Sequence, residues 1–329
     1  MANQPGASTV AGPQILAEPK ARGRRIRGGA FPAGGGAKSR PVPGEPRRIG
    51  YAYLAPAFLV YVLFALWPFV HSIYLSFFSW DGVGPRRYVG FANYRAIVDN
   101  SELRDAFIHA FVLIFFYSVL PTLLALLLVS IMSRSRIRGL TAFRTVLFLP
   151  YVVAPTAVAV IWRWLLAPGG PVNGLLSDVG LKSLPRPWLG DFTFALPSVG
   201  LIGTWVLLGL AMVLLLAGVQ KIPTELYDAA RIDGAGAWWE FRAVTLPGLR
   251  YEIAVVLVLT VTAALRNFDV IYVLTSGGPG TSTTVPSWLV YNQAFVVGAV
   301  GAAAALGITL AALIVVVNVL ITRIGRVAT

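Results

Sequence analysis

The sequence predicts an all-α fold, a polytopic membrane bundle of six helices joined by short polar segments. Three observations predict it. The 329-residue chain is 57% hydrophobic and 12% charged, with a mean hydropathy of +0.72. Soluble domains carry about a quarter charged residues, so lipid must solvate most of this chain. Six apolar runs each reach the length of about 20 residues that a span needs. Of the 27 lysines and arginines, nineteen fall on one set of connecting segments and six on the other, an asymmetry that orients membrane proteins.

The elements follow in chain order. Residues 1–49, rich in Gly, Pro, Ala and Arg, bury too little apolar area to offset their ordering entropy and read as a disordered basic tail. Arg24-Arg25 resembles a twin-arginine signal, but no apolar core follows it. The spans are expected at Tyr51–Phe78, Phe107–Met132, Thr145–Ala167, Leu196–Val219, Ile253–Thr275 and Phe295–Ile321, so that residues 50–329 form one transmembrane domain. Backbone groups in hydrocarbon must pair within their own segment, and these runs lack the alternation of barrel strands, so they are helices. Pro68, Pro121, Pro150 and Pro155 should kink or end them. The nineteen basic residues sit on the tail, Ser133–Arg144, Gln220–Tyr251 and the C-terminus, which places both termini in the cytoplasm. Topology and contact with anionic lipid account for the net charge of +13 without a nucleic-acid partner.

Several chemistries lack their residues. There is no cysteine, and His71 and His109 stand in no metal-ligand spacing and read as packed or interfacial. No G-x-x-x-x-G-K-[ST], H-E-x-x-H or G-x-S-x-G occurs, so neither a nucleotide cradle nor a hydrolase centre is expected in this chain.

The polar segment 220–251 stands out. Thr224 is expected to cap a short helix whose first turn carries Glu225 and Asp228, favourable at the positive end of the dipole. Leu226, Ala229, Ala230 and Asp233 recur at helical spacing, and Gly234-Ala235-Gly236 should stop the helix in a sharp turn. A second short helix, Trp238–Val244, then leads to Leu246-Pro247. From periodicity alone, this segment is either a protruding corner for another protein or an amphipathic helix on the headgroups.

"DAARIDGAGAWWEFRAVTLP" resembles the EAA signature of binding-protein-dependent ABC importer permeases. Asp228-Ala229-Ala230, Gly234, Val244 and Leu246-Pro247 fall in its register without gaps, with Asp for Glu and Val for Ile. "NFDVIYVLTSGGPGTST" (267–283) and "YVGFANY" (88–94) resemble the carbohydrate-uptake branch, similar to maltose, lactose and glycerol 3-phosphate permeases. The resemblance covers roughly residues 50–329 and implies a MetI-like permease of the bacterial cytoplasmic membrane. It implies that Glu225, Asp228, Ala229, Ala230, Asp233, Gly234, Ala235, Gly236, Leu246 and Pro247 dock in a cleft of a cytoplasmic ATPase. It also implies partners: a second, homologous permease subunit, two copies of the ATPase holding ATP and Mg, and an extracytoplasmic solute-binding protein meeting the loops 80–106 and 168–195. This chain would bind no cofactor itself.

A solute path needs polar groups inside the bundle. Arg266 and Asp269, three apart in the expected fifth span, are close enough to pair on one face, either as a structural ion pair or as solute contacts. Trp205 and Asn267 match, by the resemblance, positions that supply ring-stacking and amide groups in related sugar permeases. Arg163, between Trp162 and Trp164, reads as a snorkelling interface residue. The expected function is an ATP-driven import permease for a sugar or sugar-like solute. The rival is an ion-coupled secondary carrier, disfavoured because Asp269 is the only acidic residue well inside a span.

Overall fold

The computed structural model describes residues 47–132 and 139–327. The expected tail lies outside them except for its last three residues, which already belong to a helix beginning at Arg47. Residues 133–138 of the basic loop are also outside. The chain divides into two units, Met1–Ala57 and Phe58–Thr329; of the first, only the opening turns of that helix are described.

Among the described residues, four helices are long and apolar enough to cross a membrane: α1 Gly50–Leu75, α2 Ser101–Met132, α5 Ala195–Val219 and α11 Val300–Val327. Two bent pairs that pass the same test together bring the number to six. These are α3 Leu140–Val152 with α4 Pro155–Leu165, bent by 98°, and α7 Ala237–Gly248 with α8 Arg250–Leu265, bent by 68°. Shorter helices are α6 Thr224–Ile232, α9 Asp269–Leu274 and α10 Pro286–Tyr291. The only strands among the described residues are two-residue pieces, Phe78–Ser79 and Arg87–Tyr88, paired antiparallel.

Proline shapes the spans in two ways. Pro68, Pro121 and Pro247 each stand two residues after a five-residue π-turn, at Val62–Leu66, Phe115–Val119 and Phe241–Thr245. Proline has no N–H and its ring collides with the carbonyl four residues back. The wider turn, closed for example by the Leu120 N–H on the Phe115 carbonyl, absorbs that misfit without breaking the helix. Pro155 acts differently. It holds Ala154 in an extended conformation (ψ 133°), so the expected continuous third span is broken at Val153-Ala154.

The fifth and sixth spans also depart from expectation. The fifth ends at Leu265 rather than Thr275, and the chain restarts at Asp269. The sixth starts at Val300, after Gly298 turns the backbone at φ +77°. Thr224 does not cap α6; Pro223 precedes the first turn and no side chain caps it.

Helix α5 is the centre of the packing, with most of its apolar window buried. Lipid tails are as apolar as leucine, so membrane helices associate through close backbone approach and hydrogen bonds. Gly200 and Gly203 face the rings of Phe116 and Tyr117, and Gly209 lies on the backbone of Leu147 and Phe148. Thr204 Oγ1 donates to the Phe116 carbonyl (2.6 Å), and the hydroxyls of Ser118 and Thr260 bond at 2.6 Å. Two apolar clusters result. One joins Tyr117, Val158, Ile202, Leu207 and Ile271; the other joins Val129, Met212, Leu215, Leu249 and Val256 near the start of α8.

Two amides brace the loops, half-buried Asn93 and buried Asn173. Asn93 Nδ2 donates to the carbonyls of Ser76 and Phe78. Asn173 gathers the carbonyls of Ala167, Pro168 and Arg186 and accepts from the indole of Trp188. Asp81 accepts from the backbone N–H groups of Gly84 (2.7 Å) and Val83 (3.0 Å), which hold its carboxyl below the usual range.

Candidate functional site

The two broken spans face one cavity. It measures about 400 Å³, and its walls include Val153 and Pro155 from the α3–α4 break and Arg266, Asn267, Phe268 and Asp269 from the α8–α9 break. Tyr117, Tyr151 and Thr262 add polar groups to the lining, and the rest of it is mostly apolar. Irregular backbone at membrane depth persists only where protein buries it or it lines a wet cavity. The first condition holds at Asn267, which protein buries. The Asn267 side chain donates to the Tyr117 hydroxyl (2.9 Å), and the Asn267 backbone carbonyl accepts from Ser287 Oγ (2.8 Å). Asn267 is thereby buried and fixed, while Asp269 opens α9 at the favourable end of the helix dipole.

Arg266 and Asp269 both line this cavity and are exposed to it, but no ion pair joins them. The expectation of a pair on one helix face fails because the helix ends between them; three-residue spacing brings side chains together only on a continuous helix. Trp205 stands outside the cavity lining, edge-on to Trp162 at 5.5 Å and 44% exposed. Arg163 is more than a snorkelling residue: its guanidinium donates to the Val273 carbonyl (3.2 Å), tying α4 to the last turn of α9. Sequence reasoning missed Tyr117 and Tyr151. Tyr117 was detectable in principle, since a phenol inside an apolar run needs a hydrogen-bond partner.

The polar hairpin is built from α6 and α7. Helix α6 has no buried residue. At its end Gly234 takes φ +79°, its N–H bonds the Arg231 carbonyl (3.0 Å), and the Ala235 N–H bonds the Ala230 carbonyl (2.9 Å). This double bond pattern ends a helix through a left-handed residue, which glycine adopts without a Cβ penalty. Arg231 braces the two arms, reaching Asp228 Oδ1 and buried Glu240 Oε1 at 3.2 Å each. Tyr227 and Thr245 add a hydroxyl contact at 3.1 Å. The acidic residue at the head of the Ala-Ala pair, Asp228, thus contacts Arg231 within its own helix.

Glu225, Asp228, Ala229, Asp233, Gly234 and Gly236 are exposed, and Ala230 and Ala235 are half-buried. A Cβ added at Gly234 or Gly236 would meet nothing within 4 Å. Leu246 and Pro247 lie at the far end of α7, beside the root of α8. The second arm, expected at Trp238–Val244, runs over Ala237–Gly248 because the π-turn carries the helix through Pro247.

Residues 111–327 match the family described as "Binding-protein-dependent transport system inner membrane component". The chain is 34% identical to the probable ABC transporter permease protein YurN of Bacillus subtilis, over 78% of this chain and 89% of that one. It is 32% identical to the trehalose/maltose transport system permease protein MalF of Thermococcus litoralis, over 85% and 94%. Among solved structures it is similar to a bacterial ABC transporter involved in the import of the acidic polysaccharide alginate. That similarity has a TM-score of 0.71 at 25% identity and covers 85% of this chain and 95% of that one. With more than half of its length matched and helices long and apolar enough to cross a membrane, the chain belongs to the inner membrane components of binding-protein-dependent transport systems, the permease subunits of ABC importers.

Proposed function

We propose that the cavity between the two broken spans is the solute path for a sugar or sugar-like molecule, and that the α6–α7 hairpin couples it to a separate ATPase that holds ATP and Mg. The observation that carries this reading is the cavity lining. Arg266, Asp269 and Asn267 offer planar donors and acceptors, and Tyr151 and Phe268 lie beside them as aromatic rings. Such groups suit the hydroxyls and the apolar face of a sugar ring. The sugar-related names of its relatives support the same class. Trp205, outside the lining, takes part only if the partner permease or a second conformation brings it to the path. The basic asymmetry of the loops supports a cytoplasmic hairpin and cytoplasmic termini. The partners follow: a second permease subunit, two ATPase subunits and a solute-binding protein on the opposite face.

Uptake into vesicles tests it, using the assembled importer, its binding protein and labelled trehalose, maltose and alginate oligosaccharide. Uptake of one of them should require ATP. Arg266→Gln and Asp269→Asn should each lower it about tenfold, since hydrogen bonds to charged groups contribute about 1.5–3 kcal/mol. Uptake that persists without ATP and follows an ion gradient would contradict the proposal.

A further inference from the structure

Phe268 lies on the cavity lining and starts a row of aromatic rings that leads out of it. Its ring stacks on Tyr272 of α9 at 5.4 Å, with the planes 21° apart. Tyr291, the last residue of α10, meets both rings, at 5.4 Å and 5.3 Å. Phe295 then meets Tyr291 at 5.4 Å, from the π-turn Asn292–Val296 that follows α10. Four-residue spacing brings Phe268 to Tyr272 and Tyr291 to Phe295, and the bond from Ser287 Oγ to the Asn267 carbonyl sets α10 beside the cavity. Beyond Phe295 the chain turns at Gly298, and the Gly301 N–H bonds the Trp80 carbonyl (3.3 Å). The row therefore runs from the cavity toward the loop that carries Trp80.

These rings are not a closed core. Phe295 is 79% exposed and Tyr272 43%, while Phe268 and Tyr291 are half-buried. Between Tyr291 and Phe295 stand the amides Asn292 and Gln293, half-buried and without a side-chain hydrogen-bond partner among the described residues. Amides left unpaired against acyl chains would forfeit their hydrogen bonds to water, so a wet path suits this strip better than lipid. Aromatic rings take the C–H face of a pyranose, and amides supply a donor and an acceptor for its hydroxyls. The cavity itself, about 400 Å³, lies near the small end of the range of about 300–1,000 Å³ in which pockets enclose a small ligand. A saccharide of several units must continue outside it.

We propose that Phe268, Tyr272, Tyr291 and Phe295, with Asn292 and Gln293, form a second sugar subsite, and that the solute is a linear oligosaccharide. One end occupies the cavity, and the following units lie along the aromatic row. The inference rests on the proposed solute path and adds to it the length of the solute and the residues that read that length.

The test uses the whole importer in vesicles, with its binding protein saturated in turn by maltose, maltotetraose, and the disaccharide and tetrasaccharide of alginate. Saturation leaves the permease to set the rate. Phe295→Ala should lower the ratio of tetrasaccharide to disaccharide uptake about fivefold, the size of one aromatic contact, and Phe295→Trp should retain the ratio. A ratio unchanged by Phe295→Ala overturns the proposal, whether both rates persist or both fall. So does failure of Phe295→Ala to assemble, because so exposed a ring would then belong to the contact with the second permease subunit. Arg266→Gln, read on the disaccharides, reports the cavity separately. Uptake of neither length by the unaltered importer sinks the solute class and this inference together, whereas uptake of both with an unchanged ratio sinks this inference alone.

Discussion

Replacing Gly209 by leucine is expected to remove folded protein from the membrane. Helix α5 crosses α3 at this residue, and a Cβ would run into the Leu147 carbonyl and the Phe148 Cα. A flexible side chain could rotate away, but a helix backbone cannot. Overpacking usually costs about 1–3 kcal/mol, and a clash with backbone belongs at or above the top of that range. The effect spreads because α5 also carries the glycines that admit Phe116 and Tyr117, and Tyr117 holds Asn267 at the cavity. The yield of monodisperse importer and its thermal midpoint are the measurements. Gly209→Leu should abolish the first, and Gly209→Ala should lower both. Gly174→Ala, whose Cβ meets open space, should leave both unchanged.

Gly234→Val is expected to leave the importer assembled but uncoupled. At φ +79° a β-branched residue is strained by about 1–2 kcal/mol, and both turn bonds are weakened as the backbone relaxes. A Cβ at this position meets nothing within 4 Å among the described residues, so bundle packing should be unaffected. ATP-driven uptake should fall about tenfold or more while ATP hydrolysis becomes independent of solute, the behaviour of a joint that no longer transmits motion. Gly234→Asn separates backbone from bulk. Asparagine tolerates the left-handed conformation, so it should recover much of the loss if strain is the cause and little if the added volume blocks docking.

The legible parts of the sequence were those written in periodicity and in local turn chemistry. The six apolar runs correspond to four unbroken helices of spanning length and two bent pairs, and Gly234 ended α6 as the glycine turn required. The breaks were harder to see. Pro155 announced the α3–α4 break through its restriction of the preceding residue, yet Pro68 and Pro121 have the same sequence appearance and were absorbed by π-turns. Which outcome occurs depends on neighbouring helices. The fifth span gave no local signal at all: no proline or glycine marks Arg266–Phe268, the Asn267 backbone carbonyl accepts from Ser287, 20 residues away, and the Asn267 side chain is held by Tyr117, 150 residues away. For the same reason Arg266 and Asp269, read as either an ion pair or solute contacts, stand as two separate groups on one cavity. The groups that fix the site, Tyr117 above all, were hidden because an isolated phenol in an apolar run identifies a need for a partner without naming it.

Permease subunits of this family are not enzymes, and the ATPase is a separate subunit, so force must enter this chain from outside. The chain contains no cysteine, so a single Ala235→Cys substitution places one reactive thiol at the corner of the hairpin. Labelling that thiol with a water-soluble maleimide, with and without the ATPase subunits, tests the coupling account most directly. The account predicts rapid labelling of the isolated permease pair, strong protection in the assembled importer, and a labelling rate that changes when ATP binds. Equal labelling in all three states would contradict it.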